Sequence, residues 1–411
     1  MVKSLSDKKS NLLIFLCWAA YTFAYVARLN YNASMVEILS QLGTTKEAAG
    51  TVSSFFFFAY GAGQLVNGLL CKRYNTKFSV AIALGASCII NLAMTFCDAL
   101  EPMKYLWLLN GVFQSILWSS LIKTLSDNLA DSKLSRAIMV MSTTVASGTF
   151  IAYGLAALFS QLKLDWKMIF YVASALSGAV AVMWFVGMSS LQKEKKKAEI
   201  SELKPKGRLT FTPAFAVGFA VILISAISNG FVKDGITTWV PSILKEEFGV
   251  SSSLSIIVTL LLPVLSIFGT KLVNMLHKRQ KDENALNAVF YFGAVILAGL
   301  IILTLNLKSV PLTLLLFGLM ACLMAAVNNV ITSVVPLYSR DKIDSGLSAG
   351  LLNTFCYVGS TLATSLLGSI ADKKGWNDVF ICILIFTAVS FTVCLVAVAV
   401  KKAGRSKSQQ N

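Results

Sequence analysis

Twelve stretches of this chain are apolar for about twenty residues at a time, and that repetition limits the folds open to it more than any other feature. They lie at about 11–35, 49–71, 78–98, 104–124, 137–160, 168–189, 213–239, 253–275, 285–306, 311–335, 347–370 and 378–400. A helix of about twenty apolar residues crosses ~30 Å of hydrocarbon. Each stretch is continuously apolar rather than alternating, so helices are expected and a barrel is not. The residues are 56% hydrophobic and 14% charged, with a mean hydropathy of +0.70. Soluble domains sit near 45–50% apolar and about 25% charged. The first stretch is too long and too aromatic for a cleaved signal peptide, and no small-residue cleavage site follows it, so it reads as the first span. The expectation is an all-α membrane protein of twelve transmembrane helices.

Charge sets the expected orientation. With the N-terminus inside, the cytoplasmic segments collect twenty-four Lys and Arg, seven of them within 193–208, against eight in the outer segments. That bias predicts both termini in the cytoplasm of a multi-pass plasma-membrane protein. The compact loops and short tail point to a bacterial inner membrane. The net charge of +16 then reads as topology and attraction to anionic lipid. The cations are scattered over short loops and form no basic domain, so the bilayer is an expected partner and nucleic acid is not. None of the eight cysteines forms a C-x-x-C pair, and neither a disulfide framework nor a metal site is expected. The one histidine, His277, reads as a solvated loop residue. No Ser/His/Asp set and no phosphate-cradling glycine loop is present, so neither an enzyme nor a cofactor is expected.

The segment 190–212 is the longest polar stretch and reads as a flexible cytoplasmic linker. It divides the chain into an N-terminal bundle at 1–189 and a C-terminal bundle at 213–411. Gly68 with Lys72 and Arg73 closes the second span, and Gly269 with Lys278 and Arg279 closes the eighth. Two parallel repeats of six spans are the layout of major-facilitator transporters, whose substrate site lies at mid-depth. Other twelve-span designs, including inverted repeats, remain open at this point.

Polar residues inside the spans narrow the function. Arg28 lies in the first span and Lys233 at the matching place in the seventh. A cation at membrane depth costs about 2.5–3.5 kcal/mol even on the lenient insertion scale. The simplest explanation is that the two face each other across a water-filled cavity and hold an anion. Tyr21, Tyr25, Arg28 and Asn32 share one helical face, as do Asn229, Lys233 and Thr237. Tyr60 and Gln64 pair at i, i+4, as do Asn353 and Tyr357; span four carries Asn110, Gln114, Trp118 and Lys123. Lipid penalises these groups, so they should turn inward, either to a cavity or to hydrogen-bond between helices as glue. Lys123 lies nearer a span end, where snorkelling is an equal alternative. Asp234 is the one carboxylate well inside a span. It adjoins Lys233, and neutralisation of the lysine by it is the alternative to an anion-binding role, although adjacent helix residues point about 100° apart and do not naturally face each other. Proton-relay equipment is therefore thin and the intramembrane balance positive, which favours exchange of one anion for another, because an empty cationic cavity should be reluctant to change sides.

Several motifs resemble one family. Tyr25-Val-Ala-Arg28-Leu-Asn30 through Met35 looks like the first-helix motif of the organophosphate:phosphate antiporters of the major facilitator superfamily, which carry glycerol-3-phosphate and hexose-6-phosphate. Lys233-Asp-Gly-Ile-Thr-Thr-Trp239-Val-Pro241 resembles the seventh-helix motif, with lysine where arginine is usual. Ala59 through Gln64, Asn110 through Lys123, Ser345 through Gly359, and Gly375-Trp376 are similar to further family stretches. The resemblance implies that Arg28 is the first-helix phosphate-binding arginine. The chain departs from the family at Val145, where a fifth-helix histidine is usual; at Gln64, often lysine; and at Cys71, usually aspartate. A phosphonate, inorganic phosphate or carboxylate would also suit one Arg and one Lys.

The expected activity is exchange of a phosphorylated metabolite for inorganic phosphate by alternating access, in a monomer. Arg28, Lys233 and Lys123 are the candidate anion ligands, with Tyr25, Tyr60, Gln64, Trp118, Tyr357, Asn229 and Asn353 around the cargo. The alternatives are a proton-coupled organic-anion carrier or drug exporter on the same fold, and a transporter-like membrane sensor of a sugar phosphate. Pro263 is expected to kink span eight.

Overall fold

A computed structural model describes residues 6–70, 75–192, 213–338, 343 and 345–410. Most of the expected linker (193–212) lies outside the described residues, as do Cys71, Lys72, Arg73, Arg340 and Lys342. Among the described residues all regular structure is helical: α1 (Asp7–Ala33), α2 (Met35–Leu42), α3 (Lys46–Leu70), α4 (Thr76–Met94), α5 (Leu100–Gln114), α6 (Leu117–Asn128), α7 (Asp131–Met141), α8 (Thr144–Gln161), α9 (Lys167–Gln192), α10 (Pro213–Phe248), α11 (Ser252–Val258), α12 (Leu261–His277), α13 (Glu283–Asn306), α14 (Val310–Asn329), α15 (Val335–Tyr338), α16 (Ser345–Lys374) and α17 (Trp376–Gln410). A π segment, Val330–Val334, joins α14 to α15.

Among the described residues eleven helical runs are long and apolar enough to cross a membrane, and α5 with α6, α7 with α8, and α11 with α12 each make one such run. The twelfth expected span is α3, 25 residues long. Its apolarity is diluted by Ser53, Ser54, Gln64 and Asn67, all of them buried. Large apolar side chains such as Phe58, Ile89, Phe96, Met139 and Val182 lie exposed, as lipid-facing residues should. Pro263 does more than kink its span. Helix α11 ends at Val258 and α12 begins at Leu261. Proline has no N–H and its ring clashes with the carbonyl four residues back, here that of Thr259.

The described residues form two compact units. The first takes Met1–Gly43, Phe58–Lys204 and Ser252–Ile257; the second takes Thr44–Phe57, Pro205–Ser251 and Val258–Asn411. Helix α3 is thus shared, its first turns belonging to the second unit. The core of the first unit is built from Leu13, Leu16, Cys17, Ala20, Leu84, Leu117, Leu121 and Trp184. In the second, Phe231 stacks on Phe386 at 3.8 Å between ring centroids, and Phe317 on Phe380 at 5.6 Å. Helices α10 and α16 approach so closely that two glycines are required. A Cβ on Gly230 would fall 1.7 Å from the Cys356 carbonyl oxygen, and one on Gly359 would fall 1.8 Å from that of Ile227.

A capped and tethered helix start completes the second unit. Asp282 precedes α13 and accepts a hydrogen bond from the Ala285 N–H at 3.1 Å, while Lys401 Nζ donates to its other oxygen at 2.5 Å. Burial raises the Asp282 pKa, but the Lys401 bond, the cap and the Lys401 charge outweigh it, and the carboxyl is held below the usual carboxylate range. A folded-state pKa below the unfolded one contributes stability above the unfolded value, lost as pH falls through the folded one. The protection of the first amides of α13, measured as exchange relative to the intrinsic rate at each pH, should therefore fall on acidification below the carboxylate range, and Asp282→Asn should give the low protection already at neutral pH and remove its pH dependence. Wild-type protection that does not change with pH would contradict this account.

Candidate substrate site

Around Arg28 the first unit assembles an aromatic cradle. The guanidinium carbon lies 3.9 Å from the Tyr25 ring centroid and 4.9 Å from that of Tyr60. Tyr25 meets Tyr21 edge-on at 5.1 Å, Tyr21 packs against Trp118 at 4.9 Å, and the Tyr21 and Tyr60 hydroxyls are 3.4 Å apart. Tyr25, Arg28, Tyr60 and Trp118, drawn from α1, α3 and α6, therefore come together. A guanidinium over ring faces is attracted by their quadrupoles and directs its N–H groups outward in its own plane.

The backbone beneath Arg28 is held by a buried polar network. The Ala27 carbonyl accepts from Asn91 Nδ2 at 3.1 Å and from Asn110 Nδ2 at 3.0 Å. Asn30 Nδ2 donates to Asn91 Oδ1 at 2.7 Å. Ser87 Oγ donates to Asn110 Oδ1 at 2.7 Å, and Gln114 Nε2 reaches Ser87 Oγ at 3.2 Å. All five side chains are buried. The network ties α1 to α4 and α5 one residue before the cation, so it sets where Arg28 leaves the helix. Asn110 and Gln114 act here as glue. Ser87 and Asn91 are members of this network that sequence reasoning passed over, although they have the same i, i+4 spacing as the pairs noted in spans two and eleven; Asn30 entered only as part of the first-helix motif.

Gln64 also spends its amide on packing, donating to the Ser115 carbonyl at 3.3 Å. Lys123 is half-buried on α6. It lies five residues past Trp118, about 140° round the helix at 3.6 residues per turn, and so on another face.

In the second unit Lys233 is matched by a carboxylate. Its Nζ lies 3.4 Å from Asp234 Oδ1, with side-chain exposures of 34% and 18%. The pairing is the alternative that the sequence left open, and it forms despite the angle between adjacent helix positions because the four-carbon lysine stem curls back over it. Ser360 Oγ, on α16, donates to Asp234 Oδ2 at 2.5 Å. Asn229 is fully buried and donates to Asn328 Oδ1 at 3.1 Å. The Thr237 hydroxyl returns to the Lys233 carbonyl at 2.8 Å. Tyr357 stacks on Phe57 at 6.0 Å, and Asn353 is half-buried one turn earlier on α16.

Arg28 thus sits in an aromatic setting toward the C-terminal end of α1, a helix long and apolar enough to span a membrane, and the comparisons identify the protein as a membrane transporter. Residues 17–343 match the Major Facilitator Superfamily model, and the chain belongs to that superfamily. It is similar to the glycerol-3-phosphate transporter of Bacillus subtilis (strain 168), 22% identical over 92% of this chain and 90% of that protein. It is also similar to the membrane sensor protein UhpC of Escherichia coli (strain K12), 31% identical over 26% of this chain and 24% of that one. Its fold resembles a crystal structure of a bacterial homologue of the human lysosomal transporter Spinster, inward-facing and occupied, with a TM-score of 0.79, 14% identity, and 96% and 98% of the two chains covered.

Removing one member of the network tests its role. Asn91→Leu leaves Asn30 without its acceptor and takes one donor from the Ala27 carbonyl. A buried polar group left unsatisfied costs about 1–3 kcal/mol. The midpoint of denaturant unfolding in detergent should fall accordingly, and an unchanged midpoint would remove the network from this account.

Proposed function

We propose that this protein is a secondary transporter of small organic anions that exchanges a phosphorylated metabolite for inorganic phosphate by alternating access. The observation that carries the reading is the setting of Arg28. A cation at membrane depth is costly, yet this one rests on two tyrosine rings above a carbonyl held by two asparagines. That much support for a costly charge is consistent with a ligand that repays it. Arg28 and Lys233 are the proposed anion ligands, Arg28 by the planar two-pronged grip of guanidinium and Lys233 as a movable point charge. Tyr25, Tyr60 and Trp118 face the organic part of the cargo. The glycerol-3-phosphate transporter named above supports a phosphate ester as cargo.

The proposal includes two six-helix bundles joined by the linker at 190–212, with both termini in the cytoplasm of a bacterial inner membrane, working as a monomer. The short stretch of likeness to a membrane sensor favours a second reading, in which the ligand is bound and little is carried.

Reconstitution separates the two. Liposomes loaded with phosphate should exchange it for labelled phosphate esters, whereas a sensor binds without flux. Loss of one charge-assisted hydrogen bond is worth about 1.5–3 kcal/mol, which is about tenfold or more in affinity. Arg28→Ala and Lys233→Ala should each abolish exchange while the protein still folds. Full activity in both variants would remove the assignment.

A further inference from the structure

The ion pair in the second unit has an asymmetry that bears on cargo choice and coupling. Asp234 holds two partners of different kinds. Its Oδ2 accepts a short 2.5 Å bond from Ser360 Oγ. Its Oδ1 faces Lys233 Nζ at 3.4 Å, longer than the 2.7–2.9 Å of a strong charge-assisted bond. Ser360 is fully buried on α16. Its position is set where the backbones of α10 and α16 come closest, because Gly230 and Gly359 have no Cβ. The carboxylate has a one-carbon stem and a fixed hydroxyl. The lysine has a four-carbon stem, and about a third of its side chain is exposed. In this pair the carboxylate is the shorter-stemmed, more buried member, and the ammonium the longer-stemmed, more exposed one.

We infer that Asp234 is a built-in stand-in for cargo: it neutralises Lys233 while the carrier is empty and yields the lysine to an arriving anion, with Ser360 keeping the abandoned carboxylate hydrogen-bonded. The inference rests on the reading of Lys233 as an anion ligand.

Two consequences follow. To win the lysine, a cargo must outbid a carboxylate already beside it. A phosphate monoester, carrying about −1.5 to −2 at neutral pH, does so on charge, and a monocarboxylate brings no advantage over the resident group. The pair thus selects for dianionic phosphate-type cargo. It also lowers the electrostatic penalty of the empty site, so the unloaded carrier changes sides and exchange is accompanied by net transport. This reverses the expectation, drawn from an unmatched cation, that the empty carrier should stay put.

The test uses the full-length protein with inorganic phosphate as the probe. Asp234→Asn keeps the shape and removes the competing charge. It should bind phosphate about tenfold more tightly, within the usual range of coupling between two ligands, and bind acetate with less discrimination. Its uptake into phosphate-free liposomes should fall about tenfold relative to its exchange. Ser360→Ala takes away the hydroxyl that satisfies the abandoned carboxylate and should weaken phosphate binding several-fold, the opposite direction. Modification of Lys233 by fluorodinitrobenzene, read by mass spectrometry on the cargo-free protein, should speed up in Asp234→Asn. Phosphate affinity that is unchanged or weaker in Asp234→Asn overturns the inference, as does an unchanged rate of Lys233 modification. If the wild type exchanges phosphate and these readouts do not move, the transport reading stands and the inference falls. If the wild type neither binds nor exchanges phosphate but Lys233 modification does accelerate, phosphate is discarded as cargo while Asp234 keeps its role as neutraliser of the empty site.

Discussion

Inside a bilayer no water is available to a polar side chain, and each one must find a partner on a neighbouring helix or stand beside a solute. The carbonyl of Ala27 shows how that demand organises the first unit. A helical carbonyl has a second lone pair, and here two asparagines from different helices converge on the same oxygen. Three helices are thereby locked together at the turn that launches Arg28. The interaction that keeps α1 in register with α4 and α5 is also the one that aims the cation.

The two membrane-depth cations are stabilised by different means, and the difference follows from their chemistry. Guanidinium is flat, delocalised and weakly hydrated, so it stacks on Tyr25 and Tyr60. Ammonium is compact and strongly hydrated, so it takes a carboxylate, Asp234. The tyrosine rings themselves add no negative charge beside the guanidinium. A carboxylate partner neutralises its lysine and must be displaced. Lysine where the resembled family has arginine, together with aspartate beside it, is the feature on which the inferred behaviour of the empty site rests.

Not every polar residue on an inward face serves a ligand. Gln64 is bonded to the Ser115 carbonyl, Asn229 to Asn328, and Asn110 to Ala27 and Ser87. Periodicity places such residues on an inward face, but it does not say whether that face meets a cavity or another helix. The answer depends on what a neighbouring helix presents at the same depth, and amide side chains suit both roles equally well. The cradle was more legible, because Tyr21, Tyr25 and Arg28 lie on one stripe of a single helix. Tyr60 and Trp118 joined it only when the helices that carry them were placed.

From the residues alone came the helical membrane class, the approximate spans, the two costly cations and the tyrosine stripe, because hydrophobicity and helical period are local properties written into every stretch of chain. Tertiary structure alone decided that α3 begins in one compact unit and finishes in the other, and that Lys233 turns back to Asp234 while Ser360 donates to that carboxylate's other oxygen. Each of these depends on a side chain from a distant part of the chain, or on which way a flexible stem bends, and the energies that settle such choices exist only once the helices have been packed.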